Sequence, residues 1–175
     1  GLGGLKGVGE AAIEAIINER NKGGHFETMI DFIKRVLSRA VNKKSLESLA
    51  YSGTFDCFPE YHRAQYFNTG DGDRTNGMEK LIAYAQAIQS MTTGSTNTLF
   101  GDLPSAMQVP IPKLALCEEW TLTEKLDHEK DITGMFMSGH PLDHFNFELK
   151  HYAFTPINEY NEVKDNLINF PNKLG

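Results

Sequence analysis

Residues Lys6-Gly7-Val8-Gly9-Glu10 carry the clearest chemistry in this chain, and that chemistry is binding rather than bond-making. Two glycines flank one apolar residue, a spacing suited to a tight turn that needs positive φ or close backbone approach. A helix starting at Glu10 would have no side chain at Gly9 to cover its first N–H groups. Those groups lack intrahelical partners and carry the positive end of the helix dipole. A phosphate can sit against them with no special side chain. Lys43 and Lys44 fall in the first turn of another expected helix, where cations oppose the dipole. That cost is understandable if they face phosphate, although a solvated lysine pair is the commoner case.

The remaining chemical groups are weaker. Asp71 and Asp73 are spaced like the start of a calcium loop, but Thr75 takes the third position and no Glu closes it. His140, His144 and Glu148 fall at i, i+4, i+8, yet His140 precedes Pro141 and would sit at a frayed edge. Neither set is expected to hold metal. Cys57 and Cys117 have no metal-type spacing and read as free thiols. No paired carboxylates or nucleophile and base stand out, so no catalytic residue and no cofactor are expected.

The elements that position these residues read as helices. The Leu5 to Ile17 apolar spacing around the turn gives a short helix, a turn and a second helix, the helix-hairpin-helix pattern of backbone-directed DNA binders; an ordinary αα-turn is the bland alternative. Ile13, Ile16 and Ile17 are expected on one face, with Gly23-Gly24 ending the helix. Thr28 and Asp31 have capping-box spacing before the stripe Met29, Phe32, Ile33 and Val36. Asn42 caps a helix from Lys43 to Ser52, stopped by Gly53. Val41 to Phe55 would supply a second, degenerate hairpin unit. Pro59 suits another helix start, and Met78 to Met91 predicts an amphipathic helix.

Residues 92–117 are polar, hold three prolines and lack a period, so they read as a connector. Its Leu99-Phe100 pair has two readings: tucked back onto the domain, which residue chemistry alone favours, or docked into a partner as a short peptide. Thr121 and Glu124 open a helix with Leu122, Leu126, Ile132 and Phe136 inside. Ser138-Gly139 should break it, and Pro141 should start the next, carrying Leu142, Phe145 and Leu149. The fold class is therefore mostly α: a tandem helix-hairpin-helix module, further helices and a long irregular linker.

The net charge of −6 excludes a globally basic nucleic-acid binder. Residues 1–66 hold nine Lys/Arg against eight Asp/Glu, and residues 67–175 hold eight against fifteen. Any DNA contact is expected in the first third, because phosphate is repelled by the rest. No apolar run suits a membrane span and no signal-peptide pattern is present, so a cytoplasmic protein is expected. The chain opens on Gly1 without an initiator Met and reads as part of a longer polypeptide.

Several stretches in order carry a resemblance. They are Gly-Leu-Gly-Gly-Leu-Lys-Gly-Val-Gly-Glu (1–10), Ala-Ile-Ile-Asn-Glu-Arg-Asn-Lys-Gly-Gly (15–24), and the run from Phe26 to Phe32. Val-Asn-Lys-Lys-Ser-Leu-Glu-Ser-Leu (41–49), Ser-Gly-Thr-Phe-Asp (52–56), Leu-Phe-Gly (99–101), Trp120 and Ser-Gly-His-Pro-Leu-Asp (138–143) follow. Together they resemble the alpha subunit of the bacterial replicative DNA polymerase III, in the part between the polymerase fingers and the OB domain. The resemblance implies duplex primer–template binding behind the active site, with the phosphate-facing turn at Lys6, Gly7, Val8, Gly9 and Glu10. It places the catalytic carboxylates of the DNA-directed DNA polymerase upstream of this stretch.

The resemblance also implies a sliding-clamp-binding peptide in the connector, with Leu99 and Phe100 as apolar anchors and Thr96 where Gln is usual. It turns the preference for Leu99-Phe100 from tucking back to clamp docking. The implied partners are double-stranded DNA, the beta sliding clamp and other replicase subunits. The implied organisation is a tandem module over 1–58, a helical extension over 59–91, the clamp-binding linker over 92–117, a helical segment over 118–152 and entry to a following domain over 153–175.

Overall fold

The structure, a computed structural model, describes residues 1–94 and 109–152 together with 159, 160 and 164. The chain divides into two compact units, Gly1–Gly139 and His140–Gly175. The described residues are helical, in line with the mostly α reading: a 3-10 turn at Leu2–Gly4, then α1 (Glu10–Gly23), α2 (Met29–Val36), α3 (Lys43–Tyr51), α4 (Arg63–Phe67), α5 (Gly77–Gly94) and α6 (Leu122–Thr133). A 3-10 turn at Pro141–Phe145 and α7 (Asn146–His151) belong to the second unit.

In the first unit α5 packs against α2, α3 and α4, while α1 lies on α2 and α6 on α3. Met29, Phe32, Ile33 and Val36 occur at i, i+3, i+4, i+7, and all four are buried. They meet Leu46 and Leu49 of α3 and Met78, Leu81 and Ala85 of α5 in one core. Phe32 stands edge-on to Phe26 and Phe55, with centroids 5.0 and 5.1 Å away. Each such side chain contributes about 1.5–3 kcal/mol by leaving water.

Local signals set the helix ends. The Thr28 hydroxyl accepts from Asp31 N–H at 2.9 Å, and the Asn42 side chain accepts from Ser45 N–H at 3.1 Å. Thr121 and Glu124 form a reciprocal capping box. Asn76 and Glu79 form another at α5, each backbone N–H donating to the other's side chain at 2.9 Å.

Some expectations are displaced. Ile17 is 40% exposed, and the buried face of α1 is Ala12 and Ile16, because α1 lies at the edge of the core and packs along α2. Pro59 does not begin a helix: residues 59–60 turn, and α4 starts at Arg63, where Gln65 accepts from the His62 N–H. α6 ends at Thr133 with Gly134 as its cap, five residues earlier than Gly139, so Phe136 lies beyond the helix, where its ring faces Lys130. In the second unit Leu142, Phe145 and Leu149 are exposed.

Residues 109–121 run back over the first unit. Leu114 is buried, the Tyr61 hydroxyl donates to the Pro112 carbonyl, and Trp120 lies parallel to Phe67 and Tyr51. His128 of α6 tilts against Trp120 at 4.4 Å between centroids.

Gly53, which stops α3, has φ +77, and a Cβ there would lie 2.2 Å from the Arg63 guanidinium. Arg63 is pinned by ion pairs and cannot yield cheaply. Gly53→Ala is therefore expected to cost about 2 kcal/mol or more, read as a lower urea midpoint at unchanged m-value; an unaltered midpoint would contradict the assigned packing.

Candidate nucleic-acid interface

The turn before α1 is held from three directions. Gly7 adopts φ +85, a region that side chains disfavour. A Cβ at Gly7 would meet the Ser48 hydroxyl at 2.7 Å and Lys44 Cε at 3.5 Å, so α3 lies directly against it. The Ser45 hydroxyl donates to the Gly7 carbonyl at 3.2 Å. Val8 is buried in the core and acts as the anchor of the turn. The Lys6 backbone N–H donates to the Ile132 carbonyl of α6 at 3.0 Å.

Beyond that anchor the backbone faces outward. Gly9 is the N-cap of α1 and offers no side-chain cap, and a Cβ built on it meets nothing within 4 Å. The chain thus presents the exposed, uncapped N-terminus of a fourteen-residue helix. Lys6, Gly7, Gly9 and Glu10 are exposed around it, and Lys44 stands beside it on α3. An arrangement of backbone donors, a helix dipole and nearby ammonium groups suits a phosphate. Glu10 offers its N–H there while its carboxylate favours the same dipole.

Lys43 is placed differently. Its ammonium donates to Glu79 at 2.7 Å and lies 3.7 Å from Glu47. The Glu79 hydrogen bond raises the Lys43 pKa against the opposing effect of desolvation, and it lowers that of Glu79. Lys6 and Lys44 have no ion-pair partner among the described residues. The structure brings Lys44 to the glycine turn and ties Lys43 to α5. Thr96, Leu99 and Phe100 lie outside the described residues.

The metal readings find other uses for their side chains. Asp73 pairs with Lys80, and His140 Nδ1 accepts the Leu142 N–H at 3.1 Å. Among the described residues no group of three or more His, Cys, Asp or Glu is arranged to hold a metal ion.

The sequence reading missed a buried polar network. Arg63, 4% exposed, grips both oxygens of Asp56 and donates to Glu129 at 2.7 Å. Glu129 is fully buried; its second oxygen accepts the Met137 and Ser138 N–H groups at 2.7 and 2.8 Å. The Ser138 hydroxyl also donates to Glu129. Burial would push the Glu129 carboxyl up, but hydrogen bonds from Ser138, Arg63 and the Met137 N–H outweigh it and hold the pKa below the usual range. The available signal was the position of Glu129, three residues after Leu126 and three before Ile132, a carboxylate within the apolar stripe of α6.

A helix-hairpin-helix motif family model matches residues 1–66. The chain is 33% identical over 159 residues to DNA polymerase III subunit alpha of Vibrio cholerae, covering 91% of this chain and 13% of that protein. It is 34% identical over 172 residues to the same subunit of Pseudomonas aeruginosa, covering 94% of this chain and 15% of that protein. The Escherichia coli K12 subunit is 33% identical over 153 residues, covering 87% and 12%. Residues 1–66, where that motif model matches, include the glycine turn, α1, α2, α3 and most of α4. The chain belongs to the family of DNA polymerase III alpha subunits and spans 12 to 15% of the length of these relatives.

Proposed function

We propose that this chain is a duplex-DNA-binding section of a replicative polymerase alpha subunit, acting in DNA replication without catalytic residues of its own. The single observation that carries the reading is the exposed start of α1 at Gly9, without a side-chain cap, beside the glycine turn and beside Lys6 and Lys44, which have no ion-pair partner among the described residues. Such contacts reach phosphates and carry no base information. Lys43 contributes less, since Glu79 and Glu47 already neutralise it. Nucleotidyl transfer by the whole protein belongs to sections outside this stretch, and no cofactor is assigned to it.

With so few phosphate contacts, binding is weak and salt-sensitive. A grip of that kind lets a polymerase move. Residence then comes from tethering, which raises effective concentration. Leu99 and Phe100, with Thr96, form the peptide proposed to dock into the sliding clamp, and the other replicase subunits and the cytoplasm complete the setting. A protein-interaction scaffold with a purely structural hairpin is the second reading, favoured by the eight Lys/Arg against fifteen Asp/Glu in residues 67–175.

Fluorescence anisotropy of a labelled duplex tests the lysines. Lys6→Gln/Lys44→Gln should reduce the slope of log K against log salt by about 0.9 for each lysine; an unchanged slope removes both from the contact. Leu99→Ala/Phe100→Ala should weaken binding to purified clamp by at least about tenfold while leaving duplex binding intact. Equal clamp binding by both chains would defeat the tether.

A further inference from the structure

We infer that α6 buttresses the phosphate-facing turn, and that buried Glu129 is a positioning residue for it. This rests on reading that turn as the DNA contact. The family-model match ends at residue 66, yet the turn is not complete within it. The Lys6 N–H, immediately before Gly7, finds its acceptor in the Ile132 carbonyl, 3.0 Å away. Ile132 is in the last turn of α6, where carbonyls have no intrahelical partner. A carbonyl from a distant helix end therefore holds the turn at Lys6, as the Ser45 hydroxyl holds it at the Gly7 carbonyl.

Glu129 determines where that carbonyl stands. It lies three residues before Ile132, and its Oε1 is fixed to Arg63 of α4 at 2.7 Å. Its Oε2 gathers the chain that leaves α6, through the N–H groups of Met137 and Ser138. Arg63 is itself clamped by Asp56, in the turn that follows α3, and α3 carries Ser45 and Lys44. Both of these holds on the turn thus refer to one frame. Glu129 is fully buried and acts on any phosphate only through α6 and Lys6.

The test combines amide hydrogen exchange and duplex anisotropy on the 175-residue chain. One variant is Glu129→Gln. The other replaces the Lys6 peptide N–H by an ester oxygen, which deletes one donor and leaves α6 untouched. In Glu129→Gln, exchange at Lys6 should rise by about tenfold more than at Ile16 of α1. Duplex affinity should fall by a similar factor at an unchanged salt slope, since every lysine remains.

The ester should lose the same affinity, and it decides the matter if Glu129→Gln fails to fold. Exchange at Lys6 rising only in step with Ile16 would overturn the proposal, as would wild-type affinity in the ester. A wild-type chain that binds no duplex would overturn the DNA reading, and the exchange comparison alone would then judge the buttress.

Discussion

Glu129→Ala is expected to destabilise the chain by about 3–5 kcal/mol, the usual cost of removing one partner from a buried ion pair. Arg63 would stay buried with only Asp56 to neutralise it, and Asp56 is at the surface, its side chain 50% exposed. The Met137 and Ser138 N–H groups and the Ser138 hydroxyl would lose their acceptor as well. At this size the melting temperature should fall on the order of 10 °C, with a lower urea midpoint. A loss below about 1 kcal/mol would mean the pair is not buried as described.

The same group sets an acid limit. Glu129 is held below its ordinary value of 4.5, so its contribution is fully present above that pH and is lost as pH falls through the lower folded value. Glu129→Gln should flatten the acid limb of stability relative to wild type. The difference between the two chains isolates this carboxylate from half-buried Glu79 and from exposed Glu119 and Glu124, which are also lowered.

What could be read from the sequence was local. The caps at Thr28, Asn42 and Thr121 hold because cap and donor lie three residues apart. The α2 stripe holds because its period is fixed by helix geometry. Gly7 was legible as a turn residue from its spacing to Gly9. The partners that shape the turn were not. Ser45 and Ile132 reach it only through tertiary packing, and Arg63 meets Glu129 across 66 residues. Local rules also misplaced two boundaries. Pro59 suits a helix start, but residues 59–60 form a turn, His62 is extended out of it, and the helix begins at Arg63. Gly134 ends α6 before Ser138, whose N–H is then free to reach Glu129. Lys43 and Lys44 looked equivalent in sequence; the step of roughly 100° between neighbouring residues of α3 sends the first toward Glu79 and leaves the second beside Gly7.

Gly9→Val carries the largest expected effect on binding. Gly9 has φ −76 and ψ 159, which any residue adopts, and its missing side chain meets open space. Valine is a poor N-cap relative to glycine, so stability should fall by no more than about 1 kcal/mol. Its branched side chain would stand over the N–H groups that the phosphate is proposed to reach, and duplex affinity should drop by at least about tenfold. Gly7→Val is a different experiment, because φ +85 and the Ser48 hydroxyl make it a folding variant. A Gly9→Val chain that melts near wild type and no longer binds separates contact from fold.

The most direct measurement is fluorescence anisotropy of a labelled blunt duplex, titrated with wild type and Gly9→Val at low and moderate salt. Wild-type binding that weakens with salt and disappears in Gly9→Val places the contact at the start of α1. Absence of wild-type binding at low salt, or equal binding by the two chains, would contradict it and leave the hairpin a structural element.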